Sequence, residues 1–276
     1  MKPISYMTFF LSVLLFTQGF LGGNAQAYLS KKQLKKLFGN RTGCIVIHDV
    51  QKNKTWNSNN RLCKEALPPC STFKIPHALI GLQLGIVKDA KAVVKWDGKK
   101  RMFKVWNRDQ NLRTAIRYSV VWYFQRLAGR IGAKRMKLWL KKIGYGNLDS
   151  SGGLKTFWLQ SSLKISPLQQ LTFLQKLYRE TLPISKRNMR LVKTLMILAR
   201  RKGVVVSGKT GTGISKDRKR RILGWFIGHI KNAKGKSYLF VVNIRGKKRT
   251  SGPIAKKIAF SMLKQMRLWP HKKKSK

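Results

Sequence analysis

Apolar positions along this chain change period twice. A short amphipathic stretch at 33–38 precedes the run Gly43-Cys44-Ile45-Val46-Ile47-His48-Asp49, which predicts a strand, and residues 51–54 predict a turn into a second strand at Thr55-Trp56. From Thr72 to about Leu195 the apolar residues recur instead at three- and four-residue steps, as in Ile116-Val120-Tyr123-Phe124-Leu127 and Leu168-Leu171-Leu174-Leu177. That is the helical period. Polar and Gly-rich stretches at 96–111 and 145–161 separate these helices. Beyond Gly203 strands return at Val204-Val205-Val206 leading to Lys209, at 224–230 and at 238–244, with basic turns between them. A last helix carries Ile254, Ile258, Met262 and Met266 on one stripe. Strands at both ends and helices between them predict an α+β fold: one antiparallel sheet built from the first and last thirds, and a helical part, approximately 75–200, beside it. The cleft between the two parts is the expected place for a site.

The N-terminus adds a processing signal. Lys2 precedes an apolar stretch at 9–21 and a small-residue segment ending Ala25-Gln26-Ala27. This is the layout of a cleavable secretory peptide, so residues 1–27 are expected to be removed and a single domain to occupy 28–276. Gln18 and Gly19 interrupt the apolar stretch, which argues against a retained anchor, and no other segment is apolar enough to span a bilayer. Export lets two of Cys44, Cys63 and Cys70 pair, and the sequence does not choose which two. The four histidines, His48, His77, His229 and His271, are far apart, and Cys44 and His48 share one strand, so no metal site is expected and each histidine is read as a surface or packing residue.

Charge is the anomaly: 60 Lys and Arg stand against 8 Asp and Glu, a net +52 spread along the whole chain. Such a surface repels itself and attracts nucleic acid, anionic lipid or lipopolysaccharide without a dedicated site. No zinc-finger, helix-turn-helix or RNA-recognition pattern accompanies it, so specific nucleic-acid binding is not expected.

Candidate chemistry begins with Ser-x-x-Lys, which places a hydroxyl and an amine on one helix face within reach of each other. The spacing occurs three times, at Ser71-Lys74, Ser161-Lys164 and Ser261-Lys264. Setting distinguishes the first: Pro68-Pro69 lets a helix start at Ser71, where free amides favour developing negative charge, and apolar Phe73 and Ile75 flank Lys74. Burial would lower the Lys74 pKa until the neutral amine acts as a base or reacts with carbon dioxide. Pro76 removes the bond to the Thr72 carbonyl, a cost expected at a functional turn. Near the far end, strand alternation aims Lys209 and Gly211 to one face and Thr210 to the other.

Cys70-Ser71-Thr72-Phe73-Lys74, Ser119-Val120-Val121, Tyr145-Gly146-Asn147, Trp158 and Lys209-Thr210-Gly211 stand in the order and approximate spacing of the class D β-lactamases, which this chain resembles over most of its mature length. The likeness also takes in Trp96-Asp97-Gly98, Ala115-Ile116-Arg117-Tyr118 and Gly224-Trp225. It implies a transpeptidase-like fold and β-lactam hydrolysis in the bacterial periplasm, conferring antibiotic resistance. Ser71 would form the acyl-enzyme, with backbone N–H groups of Ser71 and Thr212 at the oxyanion. It further implies carbon dioxide held as a carbamate on Lys74 by the Trp158 indole, proton transfer by Ser119, and a substrate site including Val121, Lys209, Thr210, Gly211 and Thr212. No other cofactor is implied.

Class A β-lactamases pair Ser-x-x-Lys with Ser-Asp-Asn and a glutamate; here the second motif is Ser119-Val120-Val121, and no Glu lies between Tyr145 and Leu177. Nothing in the class D constellation requires an acidic side chain. One departure stands out: many members carry a carboxylate-binding arginine early in the last helix, and alignment on Gly252-Pro253-Ile254 puts Ala255 there, leaving Arg245 or Lys256 to substitute. Two rival readings are a penicillin-binding sensor that acylates without turnover and a basic polyanion-binding protein without catalysis. The charge generates its own prediction: the melting temperature rises as added salt, up to about 0.5 M, screens the self-repulsion. A melting temperature indifferent to salt in differential scanning fluorimetry contradicts it.

Overall fold

A computed structural model describes residues 28–215, 220–246 and 250–270. The expected secretory peptide and His271 lie outside the described residues. Six strands form one antiparallel sheet: β1 (Thr42–Asp49), β2 (Lys54–Asn57), β3 (Ile197–Arg201), β4 (Val204–Ile214), β5 (Arg221–Lys231) and β6 (Ser237–Arg245), in the order β2-β1-β6-β5-β4-β3. The first and last parts of the chain meet where β1 pairs with β6, Cys44 opposite Asn243 and Val46 opposite Val241.

Both faces of the sheet are covered, which explains why β1 is a continuous apolar run rather than an alternating one. Ile45 and Ile47 pack with Phe226, Phe240 and Val242 against α1 (Lys31–Phe38) and α10 (Gly252–Gln265). Cys44 and Val46 face the other way, joining Trp225, Ile227 and Val241 in the core shared with the helices. Those helices are α2 (Asn60–Lys64), α3 (Lys74–Gln83), α4 (Leu112–Arg117), α5 (Val121–Ile131), α6 (Ala133–Ile143), α7 (Phe157–Gln160), α8 (Pro167–Tyr178) and α9 (Lys186–Leu195). A capping box starts α8, with the Ser166 hydroxyl accepting from Gln169 N–H and the Gln169 side chain accepting from Ser166 N–H.

Cys44 and Cys63 form a disulfide that ties β1 to α2, while Cys70 is a free, buried thiol. Among the described residues only Glu65, Asp97, Asp109 and Glu180 form ion pairs, so most of the basic surface faces water without a carboxylate partner.

Two expectations need correction. The strand β3 falls where the pattern predicts nothing between the last mid-chain helix and Gly203. It is an edge strand of alternating half-buried and exposed residues ending in Arg200 and Arg201, so it carries no continuous apolar run to read. The helix expected to open at Ser71 is a 3-10 turn over Cys70–Phe73, and α3 starts at Lys74. Pro76 therefore lies in the first turn of α3, where no intrahelical donor is required, and the Thr72 carbonyl is already used by Lys74 N–H. The backbone cost expected at Pro76 is absent.

Candidate active site

The 3-10 turn and α3 place Ser71 and Lys74 one turn apart, and the Lys74 ammonium nitrogen lies 2.6 Å from the Ser71 hydroxyl. Lys74 is fully buried. Its Nζ sits 5.5 Å from the Phe124 ring centre, and Phe73, His77 and Trp158 pack together beside it, with the His77 and Trp158 rings 4.5 Å apart. Burial first, and then the charge of Lys209, hold the Lys74 pKa well below the ordinary lysine range. The amine in this setting is poised as a neutral base.

Opposite stands a second lysine–serine pair. Ser119 occupies the turn between α4 and α5 with φ of 57°, and its hydroxyl accepts from Lys209 Nζ at 2.9 Å. Lys209, in the middle of β4, also donates to the Thr210 carbonyl at 3.0 Å. Burial, then the charge of Lys256, bring its pKa down to about 7.

Close approach of backbone brings β4 to the nucleophile. A Cβ on Gly211 would lie 2.9 Å from the Pro69 carbonyl oxygen and 3.3 Å from the Thr72 methyl, so only glycine allows the strand this close to the 3-10 turn. Lys209 and Gly211 thus share the face toward Ser71. Thr210 points the other way, its Cβ near Gly252, the first residue of α10, and the Thr212 hydroxyl accepts from Gly252 N–H at 2.9 Å. Val121, half-buried, is the first residue of α5.

Trp158, on α7, is fully buried, and its indole N–H has no hydrogen-bond partner among the described residues. Its surroundings are closed by the 145–164 segment, where Asn147 accepts from Lys164 N–H and donates to the Ser162 carbonyl, each at 2.9 Å. Tyr145, Phe73 and Phe157 complete the aromatic packing.

Three supporting residues receive no role from the motifs: Trp225, which falls within the resemblance, and Gln170 and Gln160, which lie outside it. The Trp225 indole on β5 donates to the Pro68 carbonyl at 2.9 Å. Gln170 on α8 donates to the Thr72 hydroxyl at 2.9 Å, and that hydroxyl donates onward to the Pro69 carbonyl at 2.8 Å. Gln160 clasps the backbone of Ile214 at the end of β4 through both its amide groups. The signal for Gln170 lies in its position: it is a polar residue on the buried stripe of α8, in register with Leu174 and Leu177.

The spacing decoys are separated from this centre. The Ser161 hydroxyl donates to the Gly152 carbonyl, Lys164 is exposed, and Ser261 and Lys264 lie on α10. The described histidines are packing residues: His48 bonds the Thr55 hydroxyl at 2.9 Å, His229 stacks on Tyr178, and His77 is enclosed by aromatic rings. Ala255 is fully buried in the core under α10. Of the two residues expected to replace an arginine there, Arg245 pairs with Glu65 through Nη1 while its Nε and Nη2 have no partner among the described residues, whereas Lys256 is half-buried and near enough to Lys209 to depress its pKa.

Comparison with known proteins places this geometry in a class. Residues 36–264 match the family described as the penicillin binding protein transpeptidase domain. The solved structure of the class D β-lactamase BAT-2 superposes with a TM-score of 0.81 at 46% identity, covering 86% of this chain and 97% of that one. The probable β-lactamase YbxI of Bacillus subtilis is 46% identical over 86% of this chain and 85% of its own length. The chain belongs to the class D β-lactamases. The regulatory protein BlaR1 of Bacillus licheniformis is also similar, at 36% identity over 83% of this chain but only 37% of BlaR1.

Lys209 gives the site a stability signature. Its pKa is about 7 in the folded chain and returns to about 10.4 on unfolding, so between these values the unfolded state binds more protons and its contribution makes stability rise with pH. Urea unfolding at about pH 7 and pH 9.5 should therefore show a larger upward shift of the midpoint in the native chain than in Lys209→Met. Equal shifts in the two proteins would contradict the buried, depressed lysine.

Proposed function

We propose that this chain hydrolyses β-lactam antibiotics through an acyl-enzyme on Ser71. The observation that carries the reading is the buried Lys74 amine 2.6 Å from the Ser71 hydroxyl, faced by the Lys209–Ser119 pair. Ser71 loses its proton toward Lys74 as its oxygen attacks the lactam carbonyl carbon. The carbon–nitrogen bond then breaks, and Ser119 passes its proton to the departing nitrogen while recovering the one taken by Lys74, which leaves the amine neutral again. The Ser71 and Thr212 N–H groups stabilise the oxyanion. Water gives its proton toward Lys74 as its oxygen attacks the ester carbon; the bond to Ser71 breaks, Lys74 returns the proton to the Ser71 oxygen, and the ring-opened acid is released.

The surroundings of Lys74 fit carboxylation by carbon dioxide. A neutral amine is the form that adds to it, and the unpartnered Trp158 indole N–H is a buried donor in the same aromatic pocket. The group would supply an anionic oxygen base of the type a buried amine otherwise lacks. No metal is required.

For the substrate carboxylate, Lys209 provides the first side-chain contact, since Thr210 points toward Gly252, with Lys256 supplying the positive charge in place of the arginine absent at Ala255. Arg245 is already engaged with Glu65. Export after loss of residues 1–27 would place the activity in the periplasm, where it would confer antibiotic resistance. The polycationic surface would add salt-sensitive, nonspecific attraction to anionic surfaces.

Nitrocefin hydrolysis followed with and without bicarbonate tests the reading. Turnover should rise with bicarbonate, Ser71→Ala should lose about 10³-fold or more, and Trp158→Phe should be impaired and partly rescued by bicarbonate. Carbon-13 bicarbonate should give a carbamate signal that Lys74→Ala lacks. One-to-one acylation without turnover would favour the sensor reading, and a folded chain that never acylates would favour the polyanion-binding one. In a second experiment, Lys256→Ala should lower kcat/KM for penicillins about 10- to 100-fold, mostly through KM, while Arg245→Ala leaves KM unchanged. The reverse pattern would transfer the anchoring role to Arg245.

A further inference from the structure

Large apolar side chains that remain exposed are concentrated in one loop. Met102 is 87% exposed, Val93 60%, Phe103 45% and Val105 39%, all within the connection between α3 and α4. The loop is held from inside. Arg101 N–H donates to the Asn107 side chain at 2.8 Å, and that side chain returns a bond to the Arg101 carbonyl at 3.0 Å, closing residues 101–107 into a tip. Behind the tip, Trp106 donates to the Tyr118 carbonyl, and Trp122 donates to the Trp106 carbonyl, each at 2.9 Å. With its base pinned in this way, the tip presents Met102 and Phe103 outward.

Charge surrounds these residues on the same loop. Of its carboxylates, Asp97 is neutralised by Arg101 and Asp109 by Lys95, while Asp89, ahead of the apolar residues, accepts from the Lys91 and Ala92 N–H groups. Lys99, Lys100 and Lys104 are exposed and have no carboxylate partner among the described residues.

We propose that the 93–105 loop docks on an anionic lipid bilayer, with Met102 and Phe103 entering the acyl region and the neighbouring lysines meeting the headgroups. Charge complementarity favours an anionic partner, and the apolar tip selects among anions. A nucleic acid would satisfy the lysines but leave an 87% exposed methionine in water, whereas a bilayer buries both kinds of group at once. Methionine, unbranched and flexible, suits a disordered acyl phase. No described helix is long and apolar enough to cross a membrane. Diffuse attraction by a net +52 would have no preferred orientation; the apolar tip imposes one.

The test uses the mature chain with phosphatidylglycerol/phosphatidylcholine vesicles and with vesicles of phosphatidylcholine alone. Cys44 and Cys63 are paired and Cys70 is buried, so Met102→Cys introduces an accessible thiol that an environment-sensitive fluorophore can label selectively. Its emission should shift to the blue on the anionic vesicles only, and a label at Leu138→Cys, on exposed α6, should not shift. The double variant Met102→Ser/Phe103→Ser should co-sediment with anionic vesicles at least about five-fold more weakly at about 0.3 M salt, with an unchanged melting temperature. Undiminished binding by the double variant, or a blue shift at position 138 instead of 102, overturns the proposal. So does a double variant that loses affinity for a short DNA duplex as strongly as for vesicles, which would make the loop a nucleic-acid contact.

Discussion

Desolvation of two lysines in one cleft is the constraint on which the rest of the site depends. An ammonium group taken out of water without a carboxylate partner is costly, and the usual relief is loss of its proton. Lys74 and Lys209 are both buried, and the charge of Lys209 further disfavours a charge on Lys74. Each amine finds a serine hydroxyl: Ser71 at 2.6 Å and Ser119 at 2.9 Å. Burial first, and then the charge of Lys209 on Lys74 and of Lys256 on Lys209, leave Lys74 far down and Lys209 at about 7, a neutral amine beside a partly charged one.

Holding that arrangement requires strain and support at the same places. Cys70, which precedes Ser71, and Ser119, whose hydroxyl meets Lys209, both carry positive φ, at 50° and 57°. Non-glycine residues in that region cost on the order of 1–3 kcal/mol each and persist where neighbours overdetermine them. Here the neighbours are identifiable. Trp225 and Gln170 fix the Pro68–Thr72 backbone and side chains from opposite elements, β5 and α8, and Gly211 lets β4 press against the same segment. The Cys44–Cys63 link joins β1 to α2, the short helix that leads into the Pro68–Thr72 segment.

Much of this was legible in the order of residues. The long strands follow from continuous apolar runs, and the site follows from motifs whose spacing is set by one helical turn or by strand alternation, as Lys209, Thr210 and Gly211 illustrate. What was not legible depends on tertiary contact. The edge strand β3 lacks a pattern because one of its sides has no neighbour. The 3-10 turn at Cys70–Phe73 differs from an α-helix in hydrogen-bond register and in the positive φ of Cys70, neither of which the neighbouring prolines decide. Gln170 meets Thr72 across 98 positions of sequence, and the disulfide partner of Cys44 depends on where α2 comes to rest.

The lack of acids is explicable on the same physical basis. A site that tuned its base with a neighbouring aspartate or glutamate would constrain composition at its centre. Here the groups around the nucleophile are lysines, hydroxyls, an indole and backbone, and the carboxylates that form ion pairs lie elsewhere, at Glu65, Asp97, Asp109 and Glu180. A chain at +52 can therefore retain the full geometry of the cleft, because the electrostatics of the site arise from removing water rather than from opposing charge. The surface is where so unbalanced a composition acts, through self-repulsion and through attraction to anions, and the low-dielectric walls of Phe73, Phe124 and Trp158 insulate the reacting groups from it.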